Sequence, residues 1–335
     1  MPDVFQGVQK LFSLTRIRRT VKRSPTLRNI YFRVAGLQHR LRLQGARLRG
    51  GLEGSEQAIG VNPENVVWIF CTARSGSTWM RSMLDDLVDG EVWEEPKVGR
   101  LFGEFYSRAK PTQLGRTNYV LGEPTRVAWT GAMRDFVLRT AWASHPSVTP
   151  ERYLIVKEPG GAVGAPLLMA ALPESRMVLL VRDPRDFAAS VLDATRKGGW
   201  LQEGMDEWAR RDLESEKDVQ RYLRALSRQY VRQMGNGKKA FDEHDGRKIM
   251  VRYDDLRMNT LGTMRDLCAA LELPVTEQTL AQVVDKHSFE NIPQRERGEG
   301  KFYRKATSGG WKDDLTPEQA KIVEDITAPL INQLS

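Results

Sequence analysis

Val66-Val67-Trp68-Ile69-Phe70-Cys71 is an unbroken apolar run that stops at Thr72-Ala73-Arg74-Ser75-Gly76-Ser77, a loop of small, hydroxylated and cationic residues. This junction constrains the fold more than any other segment. An apolar run without polar alternation, rich in β-branched and aromatic residues, suits a strand buried on both faces, as in a parallel sheet. From Thr78 onward, Trp79, Met80, Met83, Leu84 and Leu87 recur at helical spacing. Strand, tight loop and helix form the first half of a βαβ unit, and such units build a sheet with helices on both sides.

The pattern returns along the chain. Arg152–Val156 predicts a strand leading into Lys157-Glu158-Pro159-Gly160-Gly161 and a helix over about 163–171. Met177–Val181 predicts another, followed by Arg182-Asp183-Pro184-Arg185-Asp186 and a helix that Pro184 can open. A charged helical stretch spans roughly 206–241, Asp245-Gly246 turns the chain, and Lys248–Arg252 reads as a fourth strand. The expected fold is α/β, three layers in αβα order around a central parallel sheet, over residues 61–335.

Residues 1–60 read differently. The first 50 hold 12 Lys/Arg against the single acid Asp3, so they exceed the chain's formal charge of +8, and the remainder is slightly acidic. A body of that balance does not suit nucleic acid. Val4, Val8, Leu11, Phe12, Leu14, Ile17 and Val21 recur at helical spacing within this basic arm. Two roles fit: an amphipathic helix on an anionic membrane, or a helical extension packing on the body or on a second subunit of a homodimer. The apolar runs are too short to cross a membrane, and no secretory h-region stands at the start. Two cysteines, Cys71 and Cys268, give no disulfide framework, so a reducing, cytoplasmic setting is expected. Four scattered histidines give no metal-ligand spacing.

In parallel sheets ligands bind beyond the carboxyl ends of the strands. There, Arg74, Ser75, Gly76, Ser77 and Thr78 sit at a helix N-terminus, whose unpaired amides and positive dipole end favour a phosphate or sulfate. The P-loop pattern G-x-x-x-x-G-K-(S/T) is absent. Arg182 ends another strand, and Ser190 lies two turns into the helix after it, so both can reach a second anion; Arg182 and Arg185 could instead pair with Asp183 and Asp186. Arg304-Lys305-Ala306-Thr307-Ser308-Gly309-Gly310-Trp311-Lys312 combines a basic pair, two glycines and a tryptophan, as a cover over an anion would.

Together these segments resemble the sulfotransferases that use 3′-phosphoadenosine 5′-phosphosulfate (PAPS). Arg74–Trp79 is similar to that family's (K/R)-S-G-(S/T)-(S/T)-W loop for the 5′-phosphosulfate. Arg182 and Ser190 match its R-(D/N)-P-(R/K)-D motif for the 3′-phosphate. Arg304–Lys312 looks like its R-K-G-x-x-G-x-W-K segment, with Ala306 in place of Gly and Gly310 at a usually acidic position. Val251–Leu256 is similar to a stretch whose tyrosine, here Tyr253, lies near the adenine. The resemblance covers about 66–320 and implies a P-loop-NTPase-like sulfotransferase fold. It also implies PAPS as co-substrate, no metal, and a hydroxyl or amine acceptor on a glycan, glycolipid or small molecule. It makes Arg74 the cation on the leaving phosphate and gives Trp79 a place near the adenine, although Trp79 also suits a core anchor of the first helix. Lys157 could bind the sulfuryl group or the acceptor, or pair with Glu158.

The histidine that many members carry after the second strand is missing. Glu95 ranks first as general base and Glu158 second; Pro96 is expected to hold Glu95 extended. The aromatic residues of 97–150, Phe102, Phe105, Tyr106, Tyr119, Trp129, Phe136 and Trp142, could line an acceptor pocket or be ordinary core. The competing functions are a P-loop nucleoside or nucleotide kinase, and a non-catalytic protein binding membrane or acidic polymer.

Overall fold

The computed structural model describes residues 60–195, 213, 215–288, 291 and 308–334. The basic arm up to residue 59 and the pair Arg304-Lys305 lie outside them. In chain order the main elements are β1 (Val66–Cys71), α1 (Ser77–Leu87), β2 (Gly90–Glu94), α2 (Val98–Ser107), α3 (Arg126–Ser144) and β3 (Tyr153–Pro159). Then come α4 (Ala165–Ala171), β4 (Arg176–Val181), α5 (Pro184–Thr195), α6 (Glu216–Glu243), β5 (Lys248–Arg252) and α7 (Tyr253–Met258). Helices α8 (Thr260–Ala270), α9 (Glu277–Lys286) and α10 (Pro317–Ile331) follow, with a single turn at Trp311–Asp314 before the last.

The five strands form one sheet in the order β2-β3-β1-β4-β5, and every pairing is parallel. Alternation along β1 shows why its run is wholly apolar. Val66, Trp68 and Phe70 enter a core built with α3, α4, α5, α6 and α10. Val67, Ile69 and Cys71 enter the opposite core with α1, α8 and α9. Each face is covered, so no position on the central strand can be polar. The result is the expected three-layer αβα arrangement. Helix starts are locally encoded: the Ser215 hydroxyl accepts from the Asp218 amide at α6, and Thr316 with Gln319 makes a capping box at α10.

Three expectations are corrected. A fifth strand, β2, lies at the sheet edge over Gly90–Glu94; being short and carrying Glu91 and Glu94, it gives a weak strand signal. Strand β3 continues to Pro159, so Lys157 and Glu158 are buried strand residues and not members of an exit loop. A 3-10 turn, Gly161–Gly164, precedes α4, which therefore starts at Ala165.

The order of the sheet creates a crevice. The helix after β1 packs on one face and the helix after β4 on the other, although β1 and β4 are neighbours. Adjacent strands whose connections leave to opposite faces open a cleft at their carboxyl ends.

Candidate active site

The loop after β1 turns through two left-handed residues, Arg74 (φ 62°) and Gly76 (φ 85°). Gly76 needs to be glycine for a second reason: a Cβ there would stand 2.6 Å from the ring of Tyr253. Tyr253 opens α7 directly after β5, so the fifth strand delivers an aromatic lid onto the first loop. The Arg182 guanidinium lies over the same ring, 4.5 Å from its centroid. Arg182 also donates to the carbonyl of Arg74, while the Tyr230 hydroxyl donates to the carbonyl of Arg182 at 2.7 Å. Arg74 Nε donates to Ser190 Oγ at 3.0 Å. Thus Arg74, Gly76, Arg182, Ser190 and Tyr253, separated by up to 179 positions, converge on the β1/β4 cleft. Arg182 Nε is buried there with no hydrogen-bond acceptor among the described residues.

The other residues of the first loop divide by role. Ser75 is buried and its hydroxyl donates to the Thr72 carbonyl at 2.8 Å. Ser77 is buried in the first turn of α1, a helix with no side-chain cap. Trp79 packs against the α1 core, and its Nε1 donates to the carbonyl of His287 at 2.7 Å, tying α1 to the end of α9. Arg185 pairs with Asp183 (2.6 Å) and Glu324 (2.8 Å) and stacks on Trp311 at 4.2 Å. Asp186, read from the sequence only as a possible partner of Arg182 or Arg185, accepts from the amides of Gly309 (2.8 Å) and Trp311 (2.9 Å). Burial raises its pKa above the usual carboxylate value; those two amides and Arg182 work against the rise.

A second cluster sits where β2 and β3 end. Lys157 Nζ is 2.6 Å from Glu94 Oε1 and 3.0 Å from Glu95 Oε1, and it donates to Thr78 Oγ1 at 3.2 Å. Arg81 on α1 reaches the other oxygen of Glu94 at 3.3 Å. The Glu95 amide donates to the Lys157 carbonyl at 3.0 Å. Glu95 has φ 50° and Lys97 φ 65°, so the extended backbone expected before Pro96 is corrected: the chain makes a strained left-handed turn on both sides of the proline. Closing the sheet edge and starting α2 within three residues requires that reversal.

Glu158 points away from this cluster, since successive strand residues face opposite sides. Its carboxyl lies at the start of α2, where the Val98 amide donates to it at 3.0 Å and the neighbouring amides of Lys97 and Gly99 also favour its charged form. Burial pushes its pKa up to about 7 against the pull of those amides. Among the described residues no His/Cys/Asp/Glu group is arranged to hold a metal ion.

A family model for the sulfotransferase domain matches residues 64–335, which includes every strand and both clusters. The chain belongs to the sulfotransferase family. Comparison with curated protein sequences returns no match. Solved sulfotransferases share the fold. The chain is similar to sulfotransferase STF9 from Mycobacterium avium, with TM-score 0.54 and 15% identity over 96% of this chain and 90% of that one. It is also similar to mouse sulfotransferase SULT7A1 complexed with PAP, with TM-score 0.51 and 12% identity over 83% and 90%.

Within this sulfotransferase the block between β2 and β3 carries the aromatic residues. Trp129 is buried and its Nε1 donates to the Gly122 carbonyl at 2.9 Å. Phe105 stacks on Tyr119, and Phe102 meets Phe136 edge-on. Among the described residues, five of the six exposed large hydrophobic ones, Leu101, Phe105, Val120, Val127 and Phe136, fall in this block. It serves partly as core and partly as apolar surface.

Proposed function

We propose that this sulfotransferase moves a sulfuryl group from PAPS to a hydroxyl or amine of a carbohydrate, lipid or small-molecule acceptor. The observation that carries the reading is the convergence of Arg74, Arg182, Ser190 and Tyr253 on one cleft, inside a chain that matches the sulfotransferase domain. The residues suit an adenosine bisphosphate: among the described residues Arg182 Nε is buried without an acceptor and the α1 N-terminus has no side-chain cap, and Tyr253 offers an aromatic face. The mouse sulfotransferase is complexed with PAP, adenosine 3′,5′-bisphosphate, which has that chemistry.

In this reading Ser75–Thr78 and Arg74 hold the 5′-phosphosulfate, Arg182 and Ser190 the 3′-phosphate, and Arg304 and Lys305 close over it. PAPS supplies the sulfuryl group and a bisphosphate leaving group. The acceptor oxygen bonds to sulfur, its proton passes to Glu95, and the bond from sulfur to the bridging oxygen breaks. Negative charge grows on that oxygen, where the Arg74 guanidinium and the α1 amides stabilise it. Glu95 suits the base because it is half exposed beside Thr78 and Lys157, whereas Glu158 is buried against α2. Residues 1–60 form a separate basic arm in this proposal. The arm touches an anionic membrane from the cytoplasmic side.

The test is a pair of variants. Arg182→Ala should weaken adenosine bisphosphate binding at least ~10-fold by calorimetry, as expected for loss of a charge-assisted contact. Glu95→Gln should bind the bisphosphate normally and lose transfer by ~100-fold or more. Indifference of the wild-type chain to the bisphosphate would overturn the reading. Tight binding of ATP with magnesium instead would favour a kinase.

A further inference from the structure

Glu94 has no part in the mechanism above, yet it makes the shortest contact in its cluster. Lys157 is almost wholly buried (4% of its side chain exposed), while Glu94 and Glu95 are each 45% exposed. An ammonium carries three N–H donors, and three oxygens surround this one: Glu94 at 2.6 Å, Glu95 at 3.0 Å and Thr78 at 3.2 Å. The second oxygen of Glu94 lies 3.3 Å from Arg81 Nε, an ion pair without hydrogen-bond geometry among the described residues. Among the described residues the ion pairs of Glu95 involve Lys157 only. The two neighbouring acids are therefore unequal. Glu94 has a cation at each oxygen, and Glu95 keeps one oxygen outside the cation cluster. Among the described residues Glu95 also acts electrostatically on Cys71 at the end of β1 and, from the other side of the sheet, on Glu158 of β3, while Arg81 on α1 meets Glu94.

We infer that Glu94 is a positioning residue: with Arg81 it divides the charge of Lys157 between two carboxylates, and so sets how readily Glu95 takes the acceptor's proton. The inference rests on Glu95 being the base. A cation beside a carboxylate favours the anion and makes it a weaker base, and a second carboxylate nearby does the opposite. Lys157 given wholly to Glu95 would hold it too firmly as an anion. Without Lys157, two adjacent acids would contend for one proton. The shared arrangement lies between, and it leaves Lys157 bonded to Thr78 at the loop where the sulfuryl group is bound.

The test is the pH dependence of kcat, with PAPS saturating, for Glu94→Gln, Lys157→Met, Arg81→Met and Glu95→Gln. In Glu94→Gln the acid limb should move down by about 1 pH unit and the plateau should fall about 10-fold. In Lys157→Met and Arg81→Met the limb should move up, because Glu95 loses the cation or Glu94 claims more of it. The position of the limb is the readout; a structural role for Glu94 would lower stability or rate without moving it. Thermal stabilisation by adenosine bisphosphate reports that each variant folds, and Arg81→Met serves if Lys157→Met does not. Loss of activity in Glu95→Gln, with limbs that stay put or all move one way in the others, overturns the inference and spares the base. Full activity in Glu95→Gln removes the base and the inference with it.

Discussion

Single residues in this protein take their chemistry from what surrounds them, and Lys157 and Glu158 make the case because they are adjacent. One faces the loop after β1 and is ringed by oxygens; the other faces the start of α2 and is ringed by amides. The second environment has a measurable consequence. Burial raises the Glu158 carboxyl from an ordinary 4.5 to about 7. Between those values the unfolded chain has released a proton that the folded protein keeps, so stability falls as pH rises through the window. The cost is on the order of 3 kcal/mol by the top of it. Glu158→Gln cannot titrate, so its melting temperature should lack this decline between pH 4.5 and 7. Parallel thermal melts of parent and variant check it, and identical slopes would count against the raised carboxyl. The residue types of both positions were readable in the sequence. Their opposite faces became readable only once β3 was known to continue through them.

At the scale of elements, α2 is set by glycines. A Cβ on Gly99 would stand 2.2 Å from the Gly161 carbonyl oxygen, and one on Gly164 would stand 2.2 Å from the Gly99 carbonyl oxygen. The helix therefore lies backbone against backbone on the 3-10 turn after β3, which brings its amides to Glu158. Gly99→Ala should force the two apart and destabilise by about 1–3 kcal/mol. Gly131 on α3 is the control, since a Cβ there meets nothing within 4 Å. Gly131→Ala should be neutral or stabilise by roughly 0.5–1 kcal/mol. Thermal or urea denaturation of both variants distinguishes a packing role from a general effect of glycine removal. The strand β2 shows the limit of local pattern at this scale. Its five residues include two glutamates at the sheet edge, so the unbroken apolar run that marks a strand buried on both faces is lost.

At the scale of the molecule, the charge divides into a basic arm and a slightly acidic body. No helix among the described residues is long and apolar enough to cross a membrane. If the arm touches an anionic surface as proposed, each basic residue near it contributes about 1 kcal/mol. Full-length protein should then co-sediment with phosphatidylserine vesicles, and a version lacking residues 1–50 should not, with the difference shrinking at high salt. Equal sedimentation would return the arm to a packing role on the body or a second subunit. By itself, the sequence determined the αβα class, four of the five strands among the described residues and the family resemblance, and it marked the loops after β1 and β4 as candidate anion sites. Each of those is written in contiguous residues, because a strand buried on both faces must be apolar along its length and a strand-to-helix turn must carry small residues. Only the tertiary structure decided that Arg74 bonds Ser190, that Tyr253 covers Gly76, and that Lys157 lies between Glu94 and Glu95. These partners lie on, or just beyond the ends of, different strands. Strand order and register are set by the burial of whole faces, and no local stretch of chain records them.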